Sequence, residues 1–161
     1  MTLADALPIA EEIRGALAPY CERIEIAGSL RRRCREVGDV ELVLIRRTRD
    51  LPKFVQAVER WQKIKGSPTG AYTQRRHPSG MKVDIFMVTR DNYGLILAIR
   101  TGSARFSHKV LAVGWCAKGY ESRGGLLYHR DGMITDPVVV REERDLFELI
   151  GIPWVDPTIR D

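Results

Sequence analysis

Cysteine is scarce: Cys21, Cys34 and Cys116 are far apart and lack CxxC spacing, which argues against a disulfide framework and a zinc site. No apolar run approaches the ~20 residues that span a bilayer. The opening Met1-Thr2-Leu3-Ala4-Asp5 has no basic stretch leading into an apolar one, so no secretory signal or membrane association is expected, and a reducing cytoplasm is the expected home. Histidine is equally sparse. His77, His108 and His129 are isolated, with no carboxylate or cysteine at a ligand spacing, and are read as surface or satisfied side chains. Internal repeats, low-complexity tracts and linkers are missing too, so the 161 residues form one compact domain or two small lobes. What is present is ordinary for a globular protein, with 44% hydrophobic and 29% charged residues. Lys plus Arg number 26 against 21 for Asp plus Glu, a formal charge of +5, which is compatible with a polyanionic partner without demanding one.

Helix and strand patterns alternate along the chain. Ile9, Ile13 and Leu17 recur at helical spacing, and Arg23-Ile24-Glu25-Ile26 alternates as a short strand ending at Gly28. The run Asp39 to Ile45 is β-rich and apolar on both faces after Glu41, as in a central covered strand. Asp50 and Pro52 open a helix read through to Gly66. Tyr72 to Arg76 and Lys82 to Val88 flank His77-Pro78-Ser79-Gly80, a hairpin. A soft boundary falls near Arg90, giving lobes 1–90 and 91–161. The second holds a short apolar helix, a Thr101-Gly102 break, a helix from Ser103 to Lys118, a hairpin around Arg130-Asp131-Gly132, and a last helix from Glu142 to Ile150 stopped by Gly151 and Pro153. Trp61, Trp115 and Trp154 lie in apolar periodic contexts and are read as core.

On a strand, Asp39 and Glu41 project from one face with Cα atoms ~6.6 Å apart. Asp84 occupies a second alternating strand, and pairing of the two strands would add a third carboxylate. Three crowded carboxylates repel one another unless cations compensate, and hard divalent ions with oxygen ligands do so. Ahead of them, Gly28-Ser29-Leu30-Arg31-Arg32 follows a strand and opens a helix. Gly28 permits close backbone approach, Ser29 supplies a hydroxyl, and Arg32 a bidentate phosphate donor. Each element alone is commonly a plain turn or a solvated basic face. Together they read as a triphosphate seat beside a metal seat.

These residues resemble the nucleotidyltransferase superfamily and, within it, the family X DNA polymerases typified by DNA polymerase beta. The matching pieces are Gly28 to Arg32, Val37-Gly38-Asp39-Val40-Glu41, Lys82-Val83-Asp84, Thr101-Gly102-Ser103 with Phe106, Lys118-Gly119-Tyr120, and the stretch Leu146 to Trp154. The resemblance runs from about Ile24 to the end. It implies an α+β fold with a mixed-sheet palm and a small C-terminal helix-and-hairpin lobe. Asp39 and Glu41 would bridge two Mg²⁺ ions, with Mn²⁺ as an alternative, and Asp84 would bind the catalytic ion and help deprotonate a primer 3′-OH. Ser29, Arg32 and the Gly38 backbone, beside Gly28, would hold the nucleotide phosphates. Ile99, Arg100, Thr101 and Gly102 would shape the pocket under the incoming sugar and base. Lys82 would lie near the primer terminus, and Arg105 and Lys109 would track template or minor groove.

The implied activity is nucleotidyl transfer to a nucleic-acid 3′-OH, most simply template-directed short-tract DNA synthesis. The implied partners are nucleoside triphosphates and primer-template or gapped DNA, with the chain a monomer. Template-independent or small-molecule transfer, and an inactive nucleic-acid-binding module, are the alternatives. The chain departs from the family in four places. Glu41 replaces the usual Asp, Ile99 and Arg100 replace aromatic residues, Ser107 replaces an asparagine, and no lyase domain or helix-hairpin-helix grip is found. An accessory partner could supply that grip.

Overall fold

The computed structural model describes every residue, Met1–Asp161, and divides the chain into two compact units, Met1–Val88 and Thr89–Asp161. In the first, α1 (Leu3–Leu17) starts at Thr2, whose side chain accepts from the Asp5 amide, and it buries Ala6, Ala10, Ile13 and Leu17. β1 (Cys21–Ile26) leads into the single turn α2 (Gly28–Arg31) and then β2 (Asp39–Arg46). After α3 (Leu51–Glu59) come β3 (Gln62–Gly66), β4 (Tyr72–Arg76) and β5 (Lys82–Met87). The sheet order is β1-β2-β5-β4-β3, and only the central pair, β2 with β5, is parallel.

Alternation along the strands separates the two faces of this sheet. Val40, Leu42 and Leu44 of β2 and Val83, Ile85 and Met87 of β5 form one core with the α1 residues and with Phe54, Ala57 and Val58 of α3. The opposite face carries Asp39, Glu41, Lys82, Asp84 and Gln74 in register. Further along that face Val43 and Ile45 are buried, as the apolar run after Glu41 leads one to expect.

The helix read through to Gly66 stops earlier, at Glu59. Residues 62–66 are instead an exposed edge strand, antiparallel to β4. Trp61 is buried in the core, and past this anchor the backbone finds its hydrogen bonds in β4 rather than in a helix. Lysines at 63 and 65 suit an edge, where charge discourages pairing with another chain.

The second unit has its own core. α4 (Tyr93–Thr101) contributes Leu95 and Ala98. The helical run 104–117, α5, is wound as a π helix over Ser107–Ala112 and contributes Phe106, Leu111 and Trp115. The hairpin does not turn at Arg130-Asp131-Gly132. It joins β6 (Tyr120–Arg123) to β7 (Leu126–His129) through Gly124-Gly125, where φ values of 57° and 78° match the positive dihedrals of a two-residue hairpin turn. α6 (Glu143–Ile150) begins with a capping box between Glu142 and Asp145 and ends at Gly151 with φ 77°. No helix is long and apolar enough to cross a membrane.

Candidate active site

The sequence-predicted residues of the first unit meet at the N-terminal ends of β2 and β5. Parallel pairing sets Asp39 opposite Lys82 and Glu41 opposite Asp84, so all four side chains share one face. Asp84 is buried at 7% exposure. Its carboxylate accepts from the Tyr72 hydroxyl and from Gln74 Nε2, at 2.9 Å to Oδ1 and 3.1 Å to Oδ2. Burial and then the Asp84 charge push the Asp39 carboxyl above its ordinary value, while Lys82 and Arg32 pull it partly back. Asp84, Lys82 and Arg32 therefore all act electrostatically on Asp39.

The turn between β1 and β2 brings the second group. The Ala27 amide donates to the Glu41 carbonyl at 2.8 Å, which ties the start of α2 to β2. Gly28 has φ 61°, and a methyl group there would overlap the Glu41 carboxylate. Glycine is required twice, for its dihedral and for this approach. The extra methylene of Glu41 relative to Asp thus goes into packing its carboxylate against the Gly28 backbone. The Ser29 hydroxyl is buried without a hydrogen-bond partner, and an orphaned donor of this kind fits an acceptor such as a phosphate oxygen. Gly38, just before β2, is exposed with open space around it.

The donors facing this point are carboxylate and hydroxyl oxygens, the ligands that Mg²⁺ and Mn²⁺ prefer, and the Asp84 charge, second to burial in raising the Asp39 carboxyl, is a repulsion that a cation would offset. The chemistry of the set fits such an ion. The side chains do not stand as a finished chelate, however, and no three acidic, histidine or cysteine residues converge at ligand distances. Asp84 is turned to Tyr72 and Gln74, and Glu41 to Gly28.

The remaining predicted residues belong to the second unit. Ile99 packs against that unit's core, and its carbonyl accepts from the Ser107 hydroxyl at 2.7 Å, so this serine faces inward. Arg100 is exposed and Thr101 fully buried. At Gly102 a Cβ would come within 2.8 Å of the Phe106 and Ser107 side chains. Ser103 caps α5 by accepting from the Phe106 amide at 3.0 Å, and Arg105 and Lys109 are exposed along that run. Two functional candidates were not legible beforehand. They are Tyr72 and Gln74, whose role depends on which β5 residue lies opposite.

No family model matches the chain, and no curated protein matches it. Among solved structures the chain is similar to a polymerase beta, a likeness of fold that makes this a polymerase beta-like α+β chain. The structure in question is the crystal structure of Leishmania infantum polymerase beta in a ternary P/T complex, similar over 100% of this chain and 76% of that one, with a TM-score of 0.73 and 22% identity.

Proposed function

We propose that this protein is a metal-dependent nucleotidyltransferase that joins a nucleotide from a nucleoside triphosphate to a nucleic-acid 3′-OH, in template-directed synthesis over short tracts of DNA. The observation that carries the reading is the β2–β5 register, with Asp39, Glu41 and Asp84 on one face of the sheet beside the glycine turn at residue 28. The polymerase beta-like fold supports it.

In this reading Asp39, Glu41 and Asp84 hold two Mg²⁺ ions, which supply charge neutralisation and a more acidic 3′-OH. Asp84 helps that hydroxyl to lose its proton. Ser29, Arg32 and the backbone around Gly28 and Gly38 bind and orient the phosphates. Lys82, exposed beside Asp39, pairs with primer phosphate, and Thr101-Gly102 with Ile99 and Arg100 borders the sugar. Arg105 and Lys109 give salt-dependent attraction to the DNA backbone.

The engaged carboxylate of Asp84 favours a second reading, an inactive nucleic-acid-binding module. Primer extension with and without template, with Mg²⁺ or Mn²⁺ and each nucleotide, tests both. Template-dependent extension is expected. Extension without template would make the chain a tailing enzyme, and binding without any extension would leave the inactive module.

A further inference from the structure

The contacts made by Asp84 define what its carboxylate can still do. β4 runs antiparallel beside β5, with Gln74 opposite Asp84 and Tyr72 opposite Phe86, so all four side chains lie on the same face of the sheet. An ionised carboxylate only accepts, and it offers about two lone pairs per oxygen. Oδ1 receives both the Tyr72 hydroxyl and Gln74 Nε2. Oδ2 receives only the longer branch of the Gln74 bond, at 3.1 Å. One oxygen is therefore filled and the other keeps a lone pair.

The donors are themselves braced. The Tyr72 ring lies 5.1 Å from the Phe86 ring and beneath the Lys65 ammonium at 5.4 Å. Gln74 must present its amide nitrogen to Asp84, since its oxygen would meet another acceptor.

We propose that Tyr72 and Gln74 are positioning residues that fix the Asp84 carboxylate with Oδ2 as its single available ligand oxygen. A held ligand loses less freedom on binding a cation than one free to rotate, and outer partners of this kind commonly carry 10–100-fold in metal affinity or activity. The inference rests on the reading of Asp84 as a metal ligand, and it goes beyond that reading by assigning two residues on a neighbouring strand.

The test uses the full chain and its Tyr72→Phe, Gln74→Leu and Asp84→Ala variants. Mn²⁺ is titrated into each protein without substrate and followed by the paramagnetic resonance of the free ion. The kcat and nucleotide KM for primer extension are measured alongside. Tyr72→Phe and Gln74→Leu should each weaken Mn²⁺ binding about tenfold and lower kcat by a similar factor, with nucleotide KM nearly unchanged. A general loss of structure would instead lower the active fraction and leave the affinity of the folded remainder intact. Because the two variants remove different groups, Gln74→Leu stands as the test should Tyr72→Phe fold poorly. Native Mn²⁺ affinity in both variants, or tighter binding, would overturn the positioning role. If Asp84→Ala bound Mn²⁺ as well as the native chain, the reading of Asp84 as a ligand would fall first and this inference with it.

Discussion

The two faces of the five-stranded sheet are built from the same strands and carry opposite chemistry. On one, Val40, Leu42, Leu44, Val83, Ile85 and Met87 are packed with α1 and α3. On the other, one residue away in each case, stand Asp39, Glu41, Lys82 and Asp84. Because the pleat couples the faces, burial of the first sets the height and spacing of the second. Stability and chemistry are thereby divided by parity along β2 and β5, and substitutions on neighbouring residues should fail in different ways.

The largest effect belongs to the charged face. Asp39→Ala, Glu41→Ala and Asp84→Ala should each lower nucleotide transfer by at least about a thousandfold, roughly 4 kcal/mol of barrier, with little loss of thermal stability. Leu42→Ala, on the covered face, should do the converse, costing about 2–5 kcal/mol in urea unfolding while the folded molecules keep their turnover. A carboxylate variant that retained near-native turnover would break the division, and so would a Leu42→Ala protein as stable as the native one.

Gly28→Ala probes where the faces are joined. With φ 61° and the Glu41 carboxylate against it, a methyl group should cost about 1–2 kcal/mol for the dihedral alone. It should also displace Glu41 and reduce transfer. Native stability together with native transfer would show that the glycine serves neither purpose.

A smaller effect is expected from Asp39→Asn without metal. The Asp39 carboxyl is raised in the folded chain, chiefly by burial, so between its ordinary value of 3.8 and the raised one the folded state binds more protons than the unfolded. The associated stability is present below the unfolded value and lost as pH rises through the folded one. Asp39→Asn should therefore be more stable than the native protein at neutral pH, and the gap should close as pH falls below the ordinary carboxylate value. Urea unfolding across this range checks it. A gap that widened on acidification would reverse the sign.

The smallest effect lies in the second unit, where α5 repeats the division, with Phe106 and Leu111 buried and Arg105 and Lys109 exposed. Arg105→Ala or Lys109→Ala should reduce the slope of log affinity for duplex DNA against log salt by ~0.9 each, across unrelated sequences. An unchanged slope would take this run out of the DNA surface.

Much of this plan is legible along the chain because it depends on local period. The alternation of β2 and β5, the turn at His77 to Gly80 and the caps of α6 all follow from residues within a few positions of one another. The edge strand at 62–66 was hidden, because its apolar and charged residues suit either a helix end or a strand until β4 lies alongside. The turn lies at Gly124-Gly125, six or seven residues before the Arg130-Asp131-Gly132 expected from the sequence, although paired glycines are its ordinary signature. The clamp on Asp84 lay between these cases. Once Arg76 is paired with Lys82, counting back along β4 brings Gln74 opposite Asp84, but that register is a property of two strands together.

By itself, the sequence determined which residues carry charge on which side of each strand, since side-chain direction is fixed by the period of the backbone. Only the tertiary structure decided which carboxylate faces which donor: that Asp84 is held by Tyr72 and Gln74, that Glu41 folds onto Gly28, and that the Ser29 hydroxyl is left buried and unsatisfied. Those outcomes depend on strand order and register, which are set by burial of the opposite face and closed by contacts between residues remote in the chain.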